Sequence, residues 1–174
     1  MISGFSNTGV PEDEGQHLQT IFEPAKTYGG PGKYILNQNS HMTEDHNLAT
    51  DLSAEAIMKQ WEKHYDASCE HYIEKSPPNL IRIRFFQKLF PNSKFIVILR
   101  RQLAVSFATQ KWSKTSIGEL IDHTLLGYEI FMNDMDYLCN VYVLRYEDFV
   151  ANPQDEIDKV YYFLNLESLH INTL

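Results

Sequence analysis

The sequence has no long apolar run, no basic stretch ahead of an apolar one at its start, and only two cysteines, Cys69 and Cys139. A membrane-spanning helix needs about 18 consecutive apolar residues, so none is expected. The N-terminus Met1–Phe5 lacks the pattern of a secretion signal. Two cysteines do not make a disulfide framework in a chain of this size. These absences predict a protein of the reducing cytoplasm without a membrane span.

Residues that build a hydrophobic core are plentiful. The chain has 174 residues, of which 43% are hydrophobic and 13% aromatic, enough for the core of one globular domain. This composition excludes the disordered, collagenous and low-complexity classes. We therefore expect a single domain over residues 1–174, with a loop-rich covering segment at 1–50 and an α/β core at 51–166.

Acidic residues are absent from one part of an otherwise acidic protein. The net charge is −8, yet residues 75–114, the basic block, contain nine Lys and Arg and no Asp or Glu. Such a block indicates a local anion site and not a surface that coats a polyanion, so nucleic acid is not an expected partner. A solvated helix face is the alternative interpretation.

Hydrophobic periodicity and capping residues predict alternating strands and helices. Strands are expected at Ile2–Phe5, Tyr72–Lys75, Phe95–Leu99 and Val141–Tyr146. Helices are expected from Thr50 or Ser53 to Tyr65, from Asn79 as cap to Phe90, at Leu103–Trp112, from Ser116 to Asp136, and from Asn152 to Leu164. The continuous apolar run at 95–99 is typical of a strand buried on both faces. The predicted fold class is α/β, with an open, mostly parallel sheet and helices on both faces.

Polar segments follow three of these strands, and ligands of such sheets bind at the carboxyl ends of strands. Lys75 lies where a strand turns toward a helix, so an anion there would meet a cation and free backbone N–H groups. Arg100 ends the next strand, and Ser106 adds a hydroxyl in the following helix. A planar guanidinium suits a phosphate. The alternatives are a surface lysine beside a structural turn and a helix-capping salt-bridge cluster.

Two segments carry a family resemblance. The run Tyr72–Trp112, which includes Glu-Lys-Ser-Pro-Pro-Asn-Leu and Phe-Ile-Val-Ile-Leu-Arg, is similar to the middle of sulfotransferases that use 3′-phosphoadenosine 5′-phosphosulfate (PAPS). Leu144–Pro153 resembles a late strand and helix of the same family. Val10–Gln19 is similar to an acidic segment of some bacterial members. The resemblance implies a sulfotransferase fold that moves a sulfuryl group from PAPS to a hydroxyl or amine of a small molecule or glycan, without a metal.

The same resemblance implies roles for residues of the donor site. Arg100 and Ser106 match residues that bind the 3′-phosphate of PAPS, or of its product adenosine 3′,5′-bisphosphate. The spacing between them is six residues, shorter than the eight of many members, so Arg101 could substitute for Arg100. Tyr146 matches a donor-contacting tyrosine, and Lys75 matches a lysine that contacts the transferring sulfuryl group.

A side-chain base takes the acceptor's proton in this family. The acidic segment near the N-terminus supplies the expected base, Glu14, with Glu12 and His17 as second choices. Sulfuryl transfer needs such a base, and it needs cations for the charge that develops on the leaving phosphate. A loop with several solvated carboxylates is the alternative interpretation of this segment. The acceptor itself is expected to be read by residues 20–50.

One part of the family pattern is missing. No phosphate loop of the type Gly-x-x-Arg-Ser-Gly-Thr-Thr occurs, and the segment Gly29–Lys33 is predicted to be an irregular loop. We therefore expect the chain to lack the N-terminal strand and loop, and residues 1–174 alone to give no measurable transfer. Two alternatives stay open: a catalytically silent module that binds a nucleotide or phosphate, and an interaction protein whose sheet is completed by a second chain as a homo-oligomer.

Overall fold

The computed structural model describes residues 14–65 and 71–168. Two strands lie in this part of the chain, β1 (Phe95–Leu99) and β2 (Val141–Arg145). The helices are α1 (Asp51–Trp61), α2 (Ile83–Leu89), α3 (Gln102–Gln110), α4 (Ile117–Asp134), α5 (Tyr146–Ala151) and α6 (Pro153–Leu164). The strand predicted at Ile2–Phe5 and the second-choice base Glu12 lie outside the described residues.

Capping side chains begin two of the helices where the sequence predicts. The hydroxyl of Thr50 accepts a hydrogen bond from the backbone N–H of Ser53 at 3.2 Å and starts α1. Ser116 and Glu119 form both hydrogen bonds of a capping box at the start of α4. Local hydrogen bonds of this kind act over three residues, which is why the sequence alone predicts them.

The two strands run parallel and in register. Phe95 pairs with Val141, and Leu99 pairs with Arg145. The chain crosses from β1 to β2 through α3 and α4, which is the connection that a parallel pair requires. An α/β fold with a parallel open sheet is thereby confirmed, and β2 is the one neighbour of β1 within residues 14–65 and 71–168.

The predicted strand at Tyr72–Lys75 is not formed: an isolated bridge at Tyr72 replaces it. The carbonyl of Ile73, which a ladder would use, accepts a hydrogen bond from the hydroxyl of Tyr65 at 2.8 Å. Pro77 and Pro78 follow at once and have no N–H to donate. The chain therefore leaves the extended conformation at a turn before it can pair as a strand.

The predicted cap at Asn79 is also wrong. Asn79 lies inside the 3₁₀ turn Pro77–Ile81, and α2 begins only after Arg82. The side-chain amide of Asn79 donates to the carboxylate of Glu74 and does not accept from a helix N–H. The Asn79 side chain thus bonds to Glu74, earlier in the chain, and does not cap the helix that follows. Asn152 likewise makes no side-chain cap, although Pro153 opens α6 as predicted.

The sheet is covered unequally on its two faces. Val97 of β1 is buried against Ile83 of α2 and Phe131 of α4. On the opposite face, Ile98 is 61% exposed, so the prediction of a strand buried on both faces is wrong. Helix α6 covers that face only over β2, where the ring of Phe163 lies 5.7 Å from that of Tyr142. An apolar run alone cannot distinguish two covered faces from one.

The described part of the covering segment, residues 14–50, is built from short 3₁₀ turns and not from longer elements. It packs through Phe22 and Met42 onto a core cluster that contains Trp61 of α1 and Phe85 of α2. The ring of Phe22 meets that of Phe85 edge-on at 5.9 Å. This apolar anchorage holds Glu14, at the start of the segment, against the turn that follows Tyr72.

Candidate functional site

The structure brings the two predicted catalytic residues into contact, although 61 residues separate them. Nζ of Lys75 donates to Oε1 of Glu14 at 3.3 Å. The Glu14 side chain is 22% exposed and that of Lys75 is 76% exposed, so both are open to a ligand. Lys75 lies in the turn before Pro77, and Glu14 lies just ahead of the 3₁₀ turn Gly15–His17. An acidic and a basic group therefore share one point of the surface.

A buried glutamine holds Glu14 in place. The side-chain amide of Gln16 donates to Oε2 of Glu14, and its carbonyl oxygen accepts from the backbone N–H of Ala25 at 2.8 Å. Gln16 is only 4% exposed. The indole N–H of Trp61 donates to the carbonyl of Gly15 at 2.9 Å. Sequence reasoning missed Gln16, since nothing in the acidic segment marks one amide as buried.

A half-buried carboxylate holds the Lys75 turn. Glu74 accepts hydrogen bonds from the hydroxyl of Ser76 and the side-chain amide of Asn79, and its side chain packs against the backbone of Gly15. Burial raises the pKa of Glu74, while these donors lower it. This side chain was also missed, because its sequence position shows only one more acidic residue before a lysine.

The predicted phosphate-binding residue Arg100 lies directly after β1. The hydroxyl of Tyr128 on α4 fixes its backbone: it donates to the Arg100 carbonyl at 2.6 Å and accepts from the Arg100 N–H at 3.1 Å. The guanidinium lies over the ring of Tyr146, 4.4 Å from the ring centre. Its Nε is buried and has no hydrogen-bond partner within the described residues. Arg100 and Tyr146, both predicted donor-site residues, therefore lie in contact, and the Arg100 Nε keeps an unused hydrogen-bond donor within the described residues.

The other two predicted donor-site residues are placed differently. Ser106 on α3 is fully buried, and its hydroxyl donates to the Gln102 carbonyl one turn earlier at 2.8 Å. An anion could reach this hydroxyl only after the side chain rotates. Arg101 is exposed, and its backbone N–H donates to the carboxylate of Glu147 at 3.0 Å, which lowers the pKa of Glu147. The Arg101 side chain is thus available at the surface.

A further arginine of the basic block is buried without a counter-charge in contact. Arg82 is 0% exposed, its Nε donates to the Ser40 carbonyl at 3.0 Å, and its two Nη atoms have no hydrogen-bond partner in the described part of the chain. Its guanidinium lies 5.4 Å from the ring centre of Phe22 and 5.9 Å from that of Tyr28. Burial lowers the pKa of Arg82. Sequence reasoning treated this residue only as one cation among nine.

A surface groove of about 690 Å³ lies between residues 33–39 and the first turn of α4. Its lining consists of polar side chains and one apolar one: Lys33, Leu36, Asn37, Gln38, Asn39 and Glu119. The glycine-rich segment beside it is an irregular turn in which Gly32 has a φ of +77°. A Cβ at Gly32 would lie 2.6 Å from the Leu120 side chain, so the glycine is needed for packing.

The fold and the site thus define a class of protein: a parallel α/β domain with an arginine at the end of one strand. The family model described as "Sulfotransferase family" matches residues 10–170, and the chain belongs to this family. No curated protein and no solved structure matches it. Family membership supports sulfuryl transfer as the general activity.

Two further findings concern ions and membranes. Among the described residues, no group of three or more His, Cys, Asp or Glu side chains could hold a metal ion. None of the helices in the same residues is long and apolar enough to cross a membrane.

Proposed function

We propose that the chain belongs to the catalytic part of an enzyme that transfers a sulfuryl group from PAPS to a hydroxyl or amine. Glu14 is its base and Lys75 is the cation beside the transferring group, and transfer also needs the phosphate loop that this sequence lacks. The contact between Glu14 and Lys75 carries this proposal, because a proton acceptor and a cation are both needed at the reacting atoms. Both residues are reachable from solvent and are held by the side chains beneath them.

The reaction divides between these two residues. Glu14 takes the proton of the acceptor as the acceptor oxygen or nitrogen bonds to sulfur. Lys75 lies beside the sulfuryl group while the bond from sulfur to the leaving phosphate oxygen breaks, and it offsets the negative charge that builds up there. The products are a sulfated acceptor and adenosine 3′,5′-bisphosphate.

Arg100, with Arg101 as its substitute, is the proposed ligand of the donor's 3′-phosphate. The unpartnered Nε of Arg100 supports this role, since a buried donor without an acceptor is costly unless a ligand satisfies it. Tyr146 lies against the guanidinium and limits its orientations. Ser106 stays part of the proposal, with the rotation that its burial requires.

The groove between residues 33–39 and α4 is the proposed acceptor site. It belongs to the segment that the sequence assigns to acceptor recognition, and three side-chain amides with one lysine and one glutamate suit the hydroxyl groups of a glycan or polar small molecule. We keep the cytoplasm as the expected compartment, because two cysteines in 174 residues suit a reducing environment.

A silent binding module is the second candidate, because the printed sequence contains no phosphate loop of the family type. Completion of the sheet by a second copy is the related structural proposal, since β1 has an open edge within the described residues. Light scattering on the purified chain measures whether two copies associate, and a monomeric mass at all concentrations would exclude this proposal.

Transfer and binding must be measured together. The chain is incubated with radiolabelled PAPS and a panel of phenols, amines and carbohydrates, and adenosine 3′,5′-bisphosphate is titrated by calorimetry. When the chain is joined to the phosphate loop that its sequence lacks, Glu14→Gln should lower the transfer rate about 100-fold, the lower end of what a general base contributes. Glu55→Gln, an exposed change on α1, is the control and should keep the rate.

The outcomes separate the two candidates. Binding without transfer by the wild-type chain joined to that loop would favour the silent module. Absence of both would exclude a donor site altogether. Transfer that Glu14→Gln leaves unchanged would remove Glu14 from the reaction.

A further inference from the structure

Glu74 joins the two segments that carry Glu14 and Lys75. Its carboxylate accepts hydrogen bonds from Ser76 and Asn79, which follow Lys75 in the chain. Its side chain also packs directly against the backbone of Gly15, the residue after Glu14. One half-buried side chain therefore contacts both the base segment and the lysine turn.

Close approach of the Glu74 side chain to the backbone of Gly15 makes this bridge tight. A Cβ at Gly15 would lie 2.3 Å from Cγ of Glu74, closer than any real contact, so the bridge needs glycine at this position. The carbonyl of Gly15 is held from the other side by the indole N–H of Trp61 at 2.9 Å. The backbone N–H of Gln16 also donates to the Ser76 hydroxyl at 3.3 Å. The segment after Glu14 is thus fixed on both sides.

Glu74 is not itself placed to take a proton from an acceptor. Two donors within the protein already occupy its two oxygens, and the side chain is half-buried beneath the turn. An ionised carboxylate can accept both bonds, because it carries no proton of its own. Its arrangement is that of a group which orients others.

We infer that Glu74 is a positioning residue, which fixes the separation between the Glu14 carboxylate and the Lys75 ammonium group. This inference rests on the proposed function for its meaning in catalysis, but the geometry it concerns can be measured without turnover. A misplacement of about 1 Å can cost about 100-fold in rate, so a rigid bridge between base and cation has a direct effect on the reaction.

The first measurement is the reactivity of the Lys75 amine. Trace acetic anhydride labels all lysines, and mass spectrometry compares Lys75 with the exposed Lys59 in the same sample. The contact with the Glu14 carboxylate holds the Lys75 nitrogen and shields it from the reagent. Glu14→Gln, which removes the partner directly, should therefore raise Lys75 labelling about threefold, within what the loss of an exposed ion pair allows.

Glu74→Gln should raise Lys75 labelling to a similar degree, although Glu74 makes no contact with the Lys75 ammonium group. The amide NH₂ of glutamine is a donor and would face one of the two donors that bond to the carboxylate. Glu62→Gln, an exposed change at the end of α1, is the matched control and should leave labelling unchanged. Glu74→Asp should give an intermediate value.

Turnover of the chain joined to the phosphate loop supplies the second readout. Glu74→Gln should lower kcat at least about tenfold, with little change in the KM for PAPS or in the affinity for adenosine 3′,5′-bisphosphate, because the Arg100 region is untouched. A purely structural role would instead change all of these together with the thermal midpoint. Where Glu74→Gln does not fold, Ser76→Ala removes one of the two donors and should give about half of the labelling change.

Each outcome bears on the inference. Unchanged Lys75 labelling in Glu74→Gln, beside a rise in Glu14→Gln, would overturn it. No rise in either variant would also overturn it, because the pair to be positioned would then not form in solution. A labelling rise without any transfer by the wild-type chain joined to the phosphate loop would uphold the positioning role and remove the proposed function.

Discussion

At the turn before Pro77, Glu14, Glu74 and Lys75 all have partners within the chain. After β1, by contrast, the Arg100 guanidinium lies over the face of Tyr146, and its Nε has no hydrogen-bond partner in the described part of the chain. The first region, residues 14–16 with 74–79, is closed by side-chain hydrogen bonds. The second, Arg100 with Tyr146, is fixed through the backbone, where Tyr128 holds the carbonyl and N–H of Arg100.

The difference matches the two roles that we propose for these regions, a chemical step and the binding of an anion. Groups that take part in a chemical step benefit from being oriented before the substrate arrives, and partners within the protein provide that orientation. A group that binds an anion must keep its donors free until the anion supplies the acceptor. The two regions therefore predict opposite responses to mutation: the first should change the rate, and the second should change affinity.

The largest effect in this comparison is expected at Arg100. Arg100→Ala should weaken the binding of adenosine 3′,5′-bisphosphate by about 1.5 to 3 kcal/mol, roughly 10- to 150-fold, because a charged hydrogen bond is lost. Calorimetric titration measures it, and the thermal midpoint should stay near that of the wild type. Arg101→Ala is the control and should lose less. Unchanged affinity in both variants would remove the strand end from the donor site.

Acid should weaken the packing of α4 against residues 14–50. His123 on α4 is buried and packs edge-on against Tyr34 at 4.6 Å, and its burial lowers its pKa from 6.5 to about 4. Between these values the unfolded chain binds a proton that the folded chain does not. Stability is therefore fully present above about pH 6.5 and should fall by about 3 kcal/mol as the pH approaches 4.

Denaturant unfolding at pH 7 and pH 4 measures this loss. His123→Phe keeps an aromatic ring against Tyr34 and should remove about that much of the acid sensitivity. The exposed His71→Phe is the control and should keep it. His46 contributes in the same direction, because burial lowers its pKa as well. An unaltered difference between the two pH values in His123→Phe would contradict the assignment.

The smallest effect is expected for the stability of the Glu14–Lys75 pair itself. Lys75 is 76% exposed, and exposed ion pairs contribute about 0 to 1 kcal/mol. A double-mutant cycle with Glu14→Gln and Lys75→Ala, followed by denaturant unfolding, should give a coupling below about 1 kcal/mol. A much larger coupling would make the pair a structural one and would narrow the contrast between the two regions.

Most elements could be predicted because local interactions decide them. The apolar run at Phe95–Leu99, the capping box at Ser116 and the proline that opens α6 act within a few residues, and each lies where the sequence places it. The strand expected at Tyr72–Lys75 fails because a distant hydroxyl, that of Tyr65, takes the carbonyl that a ladder would use.

The candidate site, like the fold, could be predicted only in part from the sequence. The resemblance assigned Glu14 and Lys75 to one reaction, yet neither spacing nor periodicity indicated that the two side chains touch. Gln16 and Glu74, which hold these two segments, could not be identified from the sequence. In a polar segment, the sequence does not show which amide or carboxylate is withdrawn from solvent. Their burial depends on which apolar groups pack around them, and those come from elsewhere in the chain.

The sequence by itself determined the α/β class, the family, the basic block and the residue types available for the reaction. The tertiary structure alone decided that Glu14 meets Lys75, that Glu74 bridges their segments and that Ser106 is buried. The physical reason is the range of the forces involved. Periodicity and caps act between neighbours along the chain, whereas burial and long-range hydrogen bonds exist only once distant segments have packed.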